Sequence, residues 1–421
     1  ALSFPDDEEA DATSSVGDIV DFYVDQGLWE IESDCVCRFA HDQIQTAAFL
    51  LIPEEEKANL QGAIGGILIN NLDQDALEEY IFEILSLRNC AAPSLSDENR
   101  LDLAKMNVRA GLKAMEGAAS DTAVIYFAKA RELLGSKGWG IEQALTIQLY
   151  SAEALARFLI GDQSTMDALL KEVLSRDDIT TKDKFQAYEV KIISGQTSNR
   201  LEESISMALD VRKQLGFKRP PTKISMVRVL REFLQARRAV QGFTAEQLAA
   251  LPEMTDEKLI MSRRCLEMCS TCAYMCNQNL YLLIIFRLVR ETIAHGLNKS
   301  SVDGYASFSL ILFAIFGDMK RGGEMIKAAE LFLDRDIIGM KQPSGVVFTI
   351  KSFYESNTKP LQGSMQPLLQ SYLYSLQHGD VETGCWTLTF RSCNLWFTGR
   401  PLNDLLNEFK ASAGVQDQMH Q

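Results

Sequence analysis

From about Ser96 onward, apolar positions recur at the three- and four-residue spacing of one helix face, in runs of roughly 12–18 residues separated by short polar turns. The turns share chemistry. Gly-Asp stands at Gly161-Asp162, Gly317-Asp318 and Gly379-Asp380, each between amphipathic runs, and Gly195 and Gly399 occupy similar places. Leu101–Gly135 fits one two-helix unit. Its first helix is expected to end near Gly117, and its second carries Ala123, Tyr126, Phe127, Ala130, Leu133 and Leu134 on one face.

Gly161 and Gly195 lie 34 residues apart, the period of a tetratricopeptide helix pair. Such pairs cannot bury their apolar faces alone and stack into an α-solenoid with a concave surface. The other spacings are irregular, so the expectation over 96–421 is a degenerate tetratricopeptide-like α-solenoid, with a non-repeating helical domain as the alternative. Breaks are expected near 218–222, where Pro220 and Pro221 forbid a continuous helix, near 242–256, which holds Pro252, and near 339–345.

The N-terminal part has a different pattern. Residues 1–16 are acidic and small, with no hydrophobic period, and are expected to form a flexible leader. Over 17–95, Ile19, Val20, Phe22 and Tyr23 predict a short helix that Gly27 stops. Leu28–Ile31 and Cys35–Phe39 follow as short strands around Glu32-Ser33-Asp34. Helical spacing returns at Asp42 with Ile44, Ala47, Ala48 and Leu51, and Pro53 before Glu54, Glu55 and Glu56 is a helix start. Helix, two-stranded wing and helix outline a small winged-helix unit, followed by linking helices. The expected fold class is therefore mainly α.

Charge changes this picture in one respect. The chain has 421 residues and a formal net charge of −15, but residues 1–100 hold 22 Asp/Glu against 4 Lys/Arg, while the remainder is near neutral. An acidic winged helix is a poor nucleic-acid binder, which needs a basic footprint. The longest apolar run, Leu280–Phe286, is far below the roughly 18 residues that span a bilayer, so no membrane partner is expected. Nine cysteines, an odd number, favour reduced thiols and a cytoplasmic setting. The chain opens on Ala1, and it is expected to be a piece of something longer.

Candidate chemistry is sparse. There is no Gly-Lys dipeptide and hence no P-loop, and the dinucleotide, zinc-protease, serine-hydrolase and kinase signatures are missing. No catalytic residue and no cofactor are assigned within this chain. Cys265, Cys269, Cys272 and Cys276 have a spacing that includes the C-x3-C-x2-C of radical-SAM enzymes. Offsets of 0, 4, 7 and 11 are also those of one helix face, and on an unbroken helix the outer sulfurs stand about 16 Å apart. A packing stripe is favoured over a metal or iron–sulfur site, since one tetrahedral centre cannot reach all four. Residues 211–240 hold Arg212, Lys213, Lys218, Arg219, Lys223, Arg228, Arg231, Arg237 and Arg238 against the single acid Glu232. They form either a solvated helix face or a docking face for an acidic partner or phosphate. Phe286, Phe308, Phe313, Phe316 and Phe332 are expected in the core.

The most specific segment is Cys37–Leu68, with Phe39, His41, Asp42, Gln45, Ala47, Ala48, Leu51, Ile52 and Pro53. It resembles the run that follows the ATPase module in large signalling proteins combining a serine/threonine-kinase-like domain, a STAND/AAA-type ATPase, a tetratricopeptide-like region and often sensor and histidine-kinase domains. Phe49 stands where that family usually has Tyr. Leu101–Gly135, Leu251–Asp256 and Arg287–Gly296 extend the likeness more diffusely over most of 28–400. The resemblance implies that His41, with Asp42, faces nucleotide phosphates and reports ADP versus ATP held by an upstream domain. The alternative is that His41 ties the wing to the next helix and Asp42 caps it.

The expected function is that of a non-catalytic regulatory and scaffold fragment of a STAND-type ATPase signalling protein. Its partners would be proteins, including kinase or ATPase domains of the same polypeptide. A free-standing helical adaptor and, more remotely, an iron–sulfur protein built on the cysteine stripe are the alternatives.

Overall fold

Among the described residues, helices alternate with short turns apart from one hairpin, because the apolar periodicity is that of helices almost throughout. The structure is a computed structural model that describes residues 16–33, 36–221, 224–333, 335, 345–377 and 381–418. The expected leader and the interruption at 339–345 lie almost wholly outside the described residues, as do Gly379 and Asp380. The chain divides into two compact units, Ala1–Leu149 and Tyr150–Gln421.

In the first unit, helix Val16–Asp25 precedes the antiparallel strands Trp29–Ser33 and Val36–Phe39, and helix Asp42–Leu51 follows. The register pairs Trp29 with Phe39 and Glu30 with Arg38. Tyr23 and Phe39 both pack their rings on Trp29, with centroids 5.1 and 5.9 Å away. Across the strands, Arg38 Nη2 lies 2.8 Å from Glu30 Oε2. His41, not Asp42, caps the second helix: its Nδ1 accepts from the Gln43 N–H at 3.2 Å. Asp42 is already the first helical residue, which corrects the expectation. An imidazole one position earlier reaches the orphan N2 amide, and the Asp42 carboxylate is left to complement the helix dipole.

The core of this unit begins later, at Ile81, Leu85, Ala92, Leu103, Ala104, Ala110 and Leu133. Helices Asp97–Glu116 and Ser120–Leu134 form a pair closed at Gly117, as their spacing predicted. Gly111 is the contact point. A Cβ there would lie 2.6 and 2.8 Å from Cδ1 and Cζ of Phe127, so the ring sits directly on the glycine backbone. Asn89 and Asn107 pair their amides reciprocally, each N–H donating at 2.9 Å.

The second unit is built around one large apolar cluster. It draws on helices Phe185–Thr197, Leu201–Gln214, Met226–Ala239, Glu257–Cys276, Gln278–His295, Lys299–Leu310, Met319–Leu333 and Gly345–Thr358. A smaller cluster of Met365, Leu368, Leu395 and Leu405 joins the last three helices. Helix Leu201–Gln214 packs on Glu257–Cys276, and Met226–Ala239 on Gln278–His295, so helices distant in sequence are neighbours. Gly161, Gly317 and Gly399 sit in turns with positive φ, which glycine adopts without strain. Gly195 corrects the turn pattern. It lies inside helix Phe185–Thr197, where a Cβ would overlap Ser204 Oγ, and the left-handed residue after that helix is Asn199. The 34-residue spacing from Gly161 therefore does not join equivalent turns. Between 242 and 256 the chain keeps a short helix, Ala245–Ala249, with a Thr244–Gln247 capping box, and Glu253 pairs with Leu297 in an isolated parallel bridge.

Candidate functional site

Helix Asp42–Leu51 has no buried residue. Phe49, Leu50 and Leu51 are 46%, 70% and 75% exposed, and Ile19, Phe22, Ile31, Leu60, Ile64 and Ile67 are exposed as well. Ile44 and Ala48 are half-buried, whereas Leu51 and the neighbouring Phe49 and Leu50 face outward within the unit, a concentration of exposed apolar side chains. His41 is exposed at the edge of this region, at the start of the helix. Its Nδ1 is committed to the cap, and Nε2 has no partner among the described residues.

The basic stretch is not one patch. Arg212 is 2% exposed; its Nη1 donates to the Lys218 carbonyl at 2.5 Å, its Nη2 lies 3.5 Å from Glu291 Oε1, and its guanidinium covers Phe217. Burial, then the neighbouring Arg287, pushes its pKa below the usual arginine value. Arg219 pairs with Asp210, and Arg237 with Asp318 at 3.0 Å. Lys213 and Lys218 are exposed, and Lys223 lies outside the described residues. What remains is the outer face of Met226–Ala239. Arg228, Arg231 and Arg238 are exposed there without an ion pair among the described residues, beside Val227, Leu230 and Leu234. The opposite face buries Val229, Phe233 and Ala236.

The four cysteines share helix Glu257–Cys276, which runs unbroken through them. Cys265, Cys269 and Cys272 are buried and Cys276 is exposed. Burial pushes the Cys265 thiol up to about 12 and Cys269 higher still. Cys269 Sγ points to the Ile205 carbonyl at 3.8 Å, the contact of a small packed side chain. Among the described residues, no group of three or more His, Cys, Asp or Glu side chains is placed to hold a metal ion. Among the expected core aromatics, Phe286, Phe308, Phe313 and Phe332 are buried; Phe316 is 46% exposed, stacked on Phe233 with centroids 3.9 Å apart.

The sequence pattern did not reveal a cavity of about 330 Å³ inside the second unit. Tyr274, Tyr281, Trp386 and Phe390 form an aromatic wall, and Glu267 and Asp303 add carboxylates. Tyr274 meets Tyr281 edge-on at 5.3 Å and Trp386 edge-on at 6.3 Å, and Trp386 lies over Phe390 at 6.2 Å. Arg264, also in the lining, is held between Glu189 at 2.8 Å and Glu267 at 2.5 Å. Burial lowers its pKa, but Glu267 and Glu189 outweigh that and hold it above the ordinary value. These residues come from several helices spread over the sequence, so local spacing alone could not have brought the whole set together on paper.

No protein-family profile and no solved structure matches the chain. Among curated proteins it is similar to hybrid signal transduction histidine kinase G of Dictyostelium discoideum, 23% identical over 414 residues, covering 87% of this chain and 12% of that protein. The chain thus spans a small part of its relative's length. This distant likeness to a signal-transduction histidine kinase is compatible with a regulatory segment of a signalling protein, and the fold is mainly α. No helix among the described residues is long and apolar enough to cross a membrane.

Proposed function

We propose that this chain is a non-catalytic regulatory and scaffold segment of a STAND-type ATPase signalling protein, made of a winged-helix end and a tetratricopeptide-like helical region. The carrying observation is the exposed apolar surface of the helix–hairpin–helix, centred on Phe49, Leu50 and Leu51. Elements this short gain little stability from propensity and need a packing partner. An ATPase domain of the same polypeptide is the partner that the likeness to a signalling kinase supports. His41, at the helix start with Nε2 uncommitted, would then face the phosphates of ADP or ATP held by that domain. The Gly111–Phe127 contact of the first helix pair supports the tetratricopeptide-like assignment, since small residues let paired helices approach. Nucleotide state would reorient the helical region and pass the signal to kinase modules.

The test is the complete reading frame, followed by cross-linking in the full-length protein. A Gly-Lys-Ser/Thr P-loop is expected upstream, and a photo-cross-linking residue at Leu50 should capture that ATPase domain. A reading frame without a P-loop would overturn the proposal and leave the free-standing helical adaptor. This chain by itself should bind neither ADP nor ATP measurably.

A further inference from the structure

We propose that the cavity walled by Tyr274, Tyr281, Trp386 and Phe390 binds a small organic cation, an ammonium group on an apolar body. It does not depend on the signalling role. Ligand sites are typically concave, largely apolar and furnished with a few polar groups, in cavities of about 300–1,000 Å³. A cavity of about 330 Å³ suits a molecule of roughly ten heavy atoms.

Charge decides the class. Arg264 is the one basic residue among the described lining residues, and it is already shared between Glu189 and Glu267. Two carboxylates thus already neutralise the one guanidinium, which disfavours phosphates and carboxylates as ligands. Glu267 Oε1 accepts from Arg264, while its Oε2 is buried with no hydrogen-bond partner among the described residues. Glu267 lines the cavity, and an ammonium bound there would complement this carboxylate, one oxygen of which has no donor among the described residues. A neutral apolar molecule would not.

The aromatic wall points the same way. Tyr274 stands nearly perpendicular to both Tyr281 and Trp386, so the rings present differently oriented surfaces to the cavity. Tyrosine and tryptophan faces attract cations electrostatically, most strongly where water is displaced. The ammonium could belong to a free amine or to a lysine side chain of a partner protein. The recognition chemistry is shared.

Both sources can be tested on the full chain by isothermal titration calorimetry. One arm uses phenethylammonium, with phenethyl alcohol and 3-phenylpropionate as neutral and anionic controls; the other uses a short lysine-containing peptide and its norleucine counterpart. Expected is saturable binding of at least one ammonium probe, at least tenfold tighter than its control. Glu267→Gln should weaken it at least tenfold and Trp386→Leu at least fivefold. Trp386 is 40% exposed, so the second variant keeps the test meaningful should the first fail to fold. Preference for the free amine assigns a small-molecule site, and preference for the peptide assigns a partner's lysine. Equal binding of ammonium and alcohol, indifference to folded Glu267→Gln and Trp386→Leu variants, or no binding of either ammonium probe would overturn the proposal.

Discussion

Arg263 donates from Nη2 to Thr292 Oγ1 at 2.7 Å inside the core of the second unit, with no exposed surface. The same nitrogen reaches Ser301 Oγ at 3.1 Å, and Thr292 and Ser301 also bond each other. Nε and Nη1 have no partner among the described residues, and burial pushes the guanidinium down to about 10. A poorly compensated buried charge is weak evidence for stability, because its desolvation offsets the bonds it makes. Arg263→Met, which keeps volume and removes the charge, should lie within about 1 kcal/mol of the wild type. Arg263→Ala leaves a cavity and should cost about 2–4 kcal/mol. Urea unfolding of both variants checks the order; equal losses would mean that the hydrogen bonds dominate.

Gly111→Ala should be destabilising by about 1–3 kcal/mol, because the new methyl overlaps the Phe127 ring. Phe127→Leu in the same background should recover part of that loss, whereas Phe127→Leu alone opens a void. A double-mutant cycle with substantial positive coupling is expected. Additive effects would place the ring away from the glycine.

Phe233 and Leu234 are adjacent on helix Met226–Ala239 but 4% and 43% exposed. Phe233 stacks on Phe316 and contacts Phe286 and Phe308. Phe233→Ala should cost about 3–5 kcal/mol, and Leu234→Ala less than about 1 kcal/mol. Similar costs at both positions would show that the outer face of this helix is covered.

The cysteine stripe makes two measurable differences. Native alkylation at pH 8 should modify the exposed Cys37, Cys90, Cys276 and Cys393, while Cys265, Cys269 and Cys272 react only after unfolding. The pH dependence follows from the raised Cys265 value. The folded chain holds this proton where the unfolded chain would lose it, so the stability it contributes is complete below about pH 9 and is lost as pH climbs toward about 12. Cys265→Ala should flatten that alkaline decline in thermal stability by up to about 1.4 kcal/mol per pH unit. An unchanged slope would place the thiol in water.

His41→Ala removes the acceptor for the Gln43 amide. A lost cap costs about 0.5–2 kcal/mol. The helix buries no residue, so the loss should appear as faster amide exchange over residues 43–46 rather than as a lower global melting temperature. Protection that is unchanged in the variant would assign the cap elsewhere.

Local pattern was enough for the mainly helical architecture, the hairpin before Asp42, the Asp97–Glu116 and Ser120–Leu134 pair and the burial of Cys265, Cys269 and Cys272 on one helix face. Each depends on residues within one or two turns of each other, where periodicity, caps and breakers act directly. The tertiary structure decided the rest. Gly195 looks like a turn residue until Ser204 occupies the space of its missing side chain. Nine basic residues look like one patch until Arg212 is drawn inside against Glu291 and Arg219 and Arg237 are paired. Tyr274, Tyr281, Trp386 and Glu267 carry no shared motif, and they become a cavity because helices far apart in sequence pack side by side. Packing of distant elements sets which side chains lose water and which partners they find, and spacing along the chain does not encode it.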